Sequence, residues 1–155
     1  MVFIHAIAAI IWAFLAWNAL YFFWFAFIGR IKKIPVPANT PPNLRFAVYI
    51  ACYKGDEVIK HTGPEALKQN YPKELFDVYV IADSLQPETI ATLKQTELKV
   101  IEVQFEKSTK AKSLKAAVNQ TQGDYDYAVI LDIDNIMEAD LLQKMNNRLQ
   151  SGTPI

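Results

Sequence analysis

The sequence predicts an α/β fold, a mainly parallel sheet with helices on both faces, set behind one N-terminal transmembrane helix. Two observations carry this. Residues Val2 to Ile28 contain no Lys, Arg, Asp or Glu, a run longer than the roughly 20 apolar residues that cross a bilayer as a helix. From Leu44 onward, short runs rich in Val, Ile, Tyr and Phe alternate with helical patterns, and such alternation builds parallel sheets covered on both faces.

The first element, residues 1–29, carries Trp12, Trp17, Tyr21, Trp24 and several Phe. It lacks the basic start, short apolar centre and small-residue cleavage site of a signal peptide, so a retained span is expected. His5 and Asn18 lie within it, and in a single span such groups serve helix contact more readily than a transport path. Arg30, Lys32 and Lys33 follow at once. Basic residues flanking a span stay on the cytoplasmic side, which puts the rest of the chain in the cytosol. The segment "IPVPANTPPN", Ile34 to Asn43, reads as an extended spacer of about 3 Å per residue. Residues 30–43 are therefore a basic collar and linker, and residues 44–155 a folded domain.

In that domain "LRFAVYIAC" (Leu44 to Cys52) reads as a strand, "DEVIKHTGPEALKQN" (Asp56 to Asn70) as a helix with a break expected at Gly63-Pro64, and "FDVYVIA" (Phe76 to Ala82) as a second strand. "PETIATLKQ" is a short helix with Pro87 in its first turn, where proline is tolerated. "LKVIEVQF" is a strand, "KAKSLKAAVNQ" a helix, "YAVILDI" a strand and "EADLLQKMNNRL" a helix.

Charge is balanced, with 16 basic and 16 acidic residues. Once the collar is set aside the remainder is mildly acidic, which leaves no electrostatic footprint for nucleic acid. Cys52 is the single cysteine; it excludes an internal disulfide and a multi-cysteine zinc site and fits a reducing compartment. Its place in an apolar strand marks it as a small buried side chain rather than a nucleophile.

Ligands of parallel α/β sheets bind outside the carboxyl ends of the strands. Tyr53, Asp83 and the pair Asp132 and Asp134 all fall at such ends. Asp-x-Asp-Asn also suits a plain turn, because Asp and Asn bond their own backbone. Three strand ends sending polar groups to one rim favour a site instead. Two adjacent carboxylates suit a hard cation, Mg²⁺ or Mn²⁺, completed by water and substrate phosphates. Lys110, ahead of a helix, either adds positive charge near those phosphates or joins Lys107, Lys112 and Lys115 on a solvated face.

Several of these segments, taken in order, resemble the family 2 glycosyltransferases, the membrane-associated GT-A enzymes that include cellulose, chitin and hyaluronan synthases. "QNYPKELFDVYVIADS" is similar to the family's Gln-x-Tyr-Pro segment and the strand ending in a nucleotide-binding Asp, here Asp83. "KAKSLKAAV" resembles its Gly-Lys-x-x-Ala-Leu-Asn element and places the Lys at Lys110. "VILDIDNIMEADLL" resembles its Asp-x-Asp strand end and following helix, with Asp140 and Leu142 in register. The resemblance implies a partial, Rossmann-like GT-A domain that binds a nucleotide sugar, most often a UDP-sugar, for transfer to a saccharide or lipid acceptor in polysaccharide synthesis at the cytoplasmic membrane face. It implies that Asp83 contacts the uridine, Asp132 the ribose or diphosphate, and that Asp134 is the main metal ligand.

Two departures stand against it. The family's first strand ends Pro-x-Tyr-Asn-Glu, whereas "ACYKGDE" puts Ala51, Lys54 and Gly55 at the Pro, Asn and Glu positions; Asp56 or Glu57 takes the acidic role, or it is lost. The chain also stops at "SGTPI", so the general base is expected beyond Ile155, and residues 1–155 read as the donor half, inactive alone. Two rival readings stay open. One is a membrane-tethered nucleotide-sugar-binding or interaction module without turnover. The other is a haloacid dehalogenase-type phosphatase, whose nucleophile strand resembles "VILDIDN" but is placed early in the domain and followed by Thr rather than Asn135.

Overall fold

The structure is a computed structural model and describes residues 1–31 and 38–151. The chain divides into two compact units, Met1–Val36 and Pro37–Ile155.

In the first unit Val2–Ile31 form one helix, α1, of 30 residues with no buried side chain. At 1.5 Å per residue it is about 45 Å long, and by length and composition it can cross a membrane. Asn18 donates its amide to the Phe14 carbonyl at 2.8 Å, so its own helix satisfies that donor. Arg30 lies in the last turn. Lys32, Lys33 and the start of the Pro-rich segment, residues 34–37, lie outside the described residues.

The second unit has strands β1 (Phe46–Tyr53), β2 (Phe76–Asp83), β3 (Lys99–Val103) and β4 (Tyr127–Asp132). They form one parallel sheet in the order β3-β2-β1-β4. Its helices are α2 (Asp56–Ala66), α3 (Pro87–Leu93), α4 (Lys110–Gln120) and α5 (Leu141–Gln150). β1 is central and apolar on both faces, as a doubly covered strand must be. Its Phe46, Val48, Ile50 and Cys52 pack on Ile59, Leu93 and Leu142 of α2, α3 and α5, while Ala47 and Tyr49 join Tyr79, Ile81, Ile101 and Ala117 of α4. Each fully buried large apolar side chain contributes roughly 1.5–3 kcal/mol, so this double burial fixes where β1 and β2 end.

The break expected at Gly63-Pro64 is corrected: α2 runs through both residues to Ala66. A Cβ at Gly63 would come within 3.0 Å of Leu98 Cδ1, so glycine lets the helix lie close to the chain entering β3. Pro64 sits near the helix end and forfeits one hydrogen bond, to the carbonyl of exposed Lys60. The helix stops short of Asn70 because Leu67 and Lys68 bond back to Pro64 and Glu65 in tight three-residue turns, a common way to close a last turn.

Residues 39–44 are not a free spacer. Asn146 of α5 has no exposed surface. Its Oδ1 accepts the backbone N–H groups of Asn43 and Leu44, both at 3.3 Å, and its Nδ2 donates to the carbonyls of Thr40 (3.5 Å) and Pro41 (3.2 Å). The extended backbone of Pro-rich chain has no partners of its own, and α5 supplies them.

Candidate functional site

β1, β2 and β4 end on one rim at Tyr53, Asp83 and Asp132; Tyr53 is in register with Asp83, and Ala51 with Asp132. The chain leaves β1 and β2 through Lys54 (φ 50°) and Ser84 (φ 59°). Left-handed backbone costs a non-glycine residue about 1–2 kcal/mol, and such strain collects at functional sites. The Lys54 N–H donates to the Asp83 carbonyl at 3.1 Å and joins the two turns. At these strand ends lies an open cleft of about 180 Å³ lined by Cys52, Tyr53, Asp83, Ser108, Lys110 and Ser113. Ligand pockets for whole small molecules run to roughly 300–1,000 Å³, so this cleft admits one ring-sized part of a ligand.

Asp83 is 2% exposed. Its Oδ1 accepts the hydroxyls of Ser84 and Ser108, both at 3.1 Å, and its Oδ2 accepts that of Ser113 at 3.0 Å. A buried carboxylate needs such donors. Burial pushes the Cys52 thiol up to about 11, so at neutral pH it is protonated, as its place in the strand predicts. Tyr53 is 57% exposed, with the Lys54 ammonium 5.2 Å from its ring centre.

Lys110 opens α4. Thr109 caps that helix, its hydroxyl accepting the Lys112 N–H, and the free N–H groups and positive dipole end of such a helix attract anions. Lys110 Nζ forms an ion pair with Asp132 Oδ1. Both side chains are substantially exposed, and such pairs contribute about 0–1 kcal/mol, so Lys110 is free to move to a ligand. The turn after β4 is closed by backbone alone, Asn135 N–H to Asp132 C=O at 3.1 Å. The Asp134 carboxylate makes no hydrogen bond or ion pair among the described residues, and no group of three or more metal-ligating side chains occurs among them. Two carboxylates on an open rim fit a divalent cation that takes its other ligands from water and phosphate.

Asp56 and Glu57 do not enter the cleft. Asp56 Oδ1 accepts the Gln86 N–H at 2.8 Å and, through Thr89 and then Gln86, its carboxyl is held below the usual range. Glu57 pairs with Lys60 on the surface. A Cβ at Gly55 would lie 2.2 Å from Ile133 Cδ1, so the side-chain space at the family's Glu position is filled by the residue between Asp132 and Asp134.

Other residues that the sequence marks only through the family resemblance support the strands and loops around the cleft. Gln69 donates to the Glu138 carbonyl (2.9 Å) and accepts the Leu142 N–H (3.3 Å), and the Tyr71 hydroxyl reaches the Leu44 carbonyl at 2.8 Å. The Gln-x-Tyr-Pro segment thus holds the loop that follows Asp134 to the entry of β1. Asp140 precedes α5, and Leu142 is fully buried. The hydroxyl shell of Asp83 was legible only as scattered Ser residues.

The sequence profile of Glycosyltransferase like family 2 matches residues 41–154. No curated protein sequence matches significantly. Among solved structures, the mannosyltransferase PcManGT from Pyrobaculum calidifontis, in complex with GDP-Man and Mn²⁺, superposes with a TM-score of 0.64 at 22% identity, over 84% of this chain and 39% of that one. S. aureus TarS superposes with a TM-score of 0.58 at 20% identity, over 70% of this chain and 20% of that one. TarS in complex with UDP-GlcNAc gives 0.54 at 19%, over 70% and 32%. The chain therefore spans well under half the length of these proteins, and the likeness to them is one of fold. With the profile covering most of the chain and a four-stranded parallel sheet shared with GT-A enzymes, the chain belongs to glycosyltransferase family 2.

Proposed function

We propose that residues 38–151 form the donor-binding side of an inverting glycosyltransferase that takes a nucleotide sugar, a UDP-sugar by its family resemblance, at the cytoplasmic face of a membrane. The observation that carries this is one rim with three parts: a buried acceptor, Asp83, in a ring-sized cleft; a cationic edge of Lys110 and the α4 N-terminus; and carboxylates at Asp132 and Asp134 not used by their own turn. The base enters the cleft and the diphosphate meets Lys110 and α4. Asp132 and Asp134 hold Mg²⁺ or Mn²⁺, which when bound neutralises phosphate charge. The GDP-Man and Mn²⁺ of PcManGT and the UDP-GlcNAc of TarS support the class of ligand. The acceptor, a saccharide or lipid, and a role in polysaccharide assembly are part of the same proposal.

Asp134→Asn keeps the turn, since Asn is itself a good turn residue, but removes a charge and a strong ligand. It is expected to abolish the Mn²⁺ enhancement of UDP binding, a coupling of about 5- to 150-fold in the usual range, with secondary structure unchanged by circular dichroism. If the pair serves the turn alone, Asp134→Asn leaves UDP and Mn²⁺ binding as they were.

Orientation is tested separately. A reporter fused after Ile155 is expected to read as cytoplasmic, and replacing Arg30, Lys32 and Lys33 together by Gln to weaken that bias. A reporter active only on the far side of the membrane contradicts access to cytosolic nucleotide sugars.

A further inference from the structure

Resting on the donor-binding reading, the contact between Gly55 and Ile133 leads one step further: we infer that Ile133 is the positioning residue of the metal pair, an apolar anchor seated over Gly55 that holds Asp132 and Asp134 where one cation can meet both. Ile133 is half-buried, whereas Asp132 and Asp134 on either side of it are exposed. Its side chain packs on the apolar cluster that includes Cys52. The point at which a Gly55 Cβ would stand is 2.2 Å from Ile133 Cδ1, 3.7 Å from its Cγ1 and 3.5 Å from Cys52 Sγ. The terminal methyl of Ile133 therefore occupies the space that any other residue at position 55 would need for its own side chain. The φ of Gly55 is −107°, open to any residue, so glycine provides room for Ile133 there and not backbone freedom.

The two turns in contact are not equally held. The β1 turn is tied on both sides, by the Lys54 N–H to the Asp83 carbonyl and by the Gly55 carbonyl, which accepts the Ile59 N–H at 3.0 Å and starts α2. The turn after β4 is held less. Between buried Leu131 and buried Met137, Ile133 is the one side chain that is not exposed, and the bond from Asn135 to Asp132 lies within the turn itself. Apart from the exposed pair of Asp132 with Lys110, Ile133 fastens this turn to the rim. A divalent cation asks for ligand oxygens at set distances, and a site about 1 Å too loose fails. A methyl placed on residue 55 meets Ile133 and displaces the less constrained turn, which carries both carboxylates. Asp83 and the cleft, on the tied side, stay in place.

The test is the factor by which Mn²⁺ tightens UDP, measured by calorimetric titration of the full chain in detergent. Gly55→Ala is expected to lower that factor about fivefold or more, the usual scale of overpacking a fitted contact, with UDP affinity in the absence of metal within about twofold of the parent. Ile133→Val deletes Cδ1 and keeps the carbon that lies 3.7 Å from the new methyl, an ordinary contact. Gly55→Ala combined with Ile133→Val thus moves one methyl across the contact and is expected to restore the parent's factor, a rescue that general destabilisation does not give. Ile133→Ala removes the anchor without adding bulk and is expected to lower the factor likewise, so a poorly folded Gly55→Ala does not decide the outcome. Three results overturn the positioning role and leave the donor site standing: a factor unchanged in both Gly55→Ala and Ile133→Ala, a loss of metal-free UDP affinity equal to the loss with Mn²⁺, or a double variant no better than Gly55→Ala. A folded parent whose UDP affinity Mn²⁺ does not change overturns the metal pair and the positioning role with it.

Discussion

Asp83→Ala is expected to lower UDP affinity by about 10- to 100-fold, and by the same factor with and without Mn²⁺. Asp83 is buried and, among the described residues, is the one carboxylate that lines the cleft proposed for the base. Hydrogen bonds to charged groups contribute about 1.5–3 kcal/mol, which is that factor. Metal independence follows from position, because the carboxylates assigned to the cation are at the end of β4, whereas Asp83 ends β2. The same substitution leaves the hydroxyls of Ser84 and Ser108 without their acceptor, whereas Ser113 keeps the Thr109 carbonyl, so the domain also loses on the order of 2 kcal/mol. Titration is therefore paired with circular dichroism to show the variant folded. A loss of affinity seen only with Mn²⁺ present would move Asp83 to the metal; unchanged affinity would remove it from the site.

Asn146→Ala is expected to have the largest effect on stability. It deletes a fully buried amide and leaves the N–H groups of Asn43 and Leu44 without their partner, while the carbonyls of Thr40 and Pro41 each lose one of two donors and keep Gln143 and Gln150. Unsatisfied buried groups cost about 1–3 kcal/mol each. Some of these groups reach water once the segment loosens, so a total on the order of 3 kcal/mol is expected, about 10 °C in the unfolding midpoint for a domain of this size. Lys115→Ala, exposed on α4, is the control and is expected to shift the midpoint little. If both variants melt together, Asn146 does not hold the entry to β1.

Why these two residues differ in visibility is a matter of period and reach. β1 and β2 were legible because double burial writes unbroken apolar runs, and Asp83 and Asp132 were legible because each is the first charge after such a run. Lys110 stood out only through its helix start. Asn146 could not be read, since its backbone partners lie more than 100 residues away and a polar side chain on a helix reads as solvent-facing. Residues 39–43 read as a spacer because proline composition reports backbone preference and not what covers the backbone. The break foreseen at Gly63-Pro64 failed for a related reason: local propensity marks a helix end, and the packing of Gly63 against Leu98 overrides it. Nothing in the order of Ser84, Ser108 and Ser113 shows that three hydroxyls converge on one carboxylate.

The coupling between UDP and Mn²⁺ on the unsubstituted chain tests the donor site most directly. Calorimetric titration of UDP with and without Mn²⁺, and of Mn²⁺ with and without UDP, gives both arms of one thermodynamic cycle. If Asp132 and Asp134 hold the cation against the diphosphate, Mn²⁺ tightens UDP by about tenfold or more, and UDP tightens Mn²⁺ by the same factor, as linkage requires. Equal UDP affinity with and without the metal, together with Mn²⁺ binding indifferent to UDP, would contradict the assignment of this rim as a metal-dependent nucleotide-sugar site.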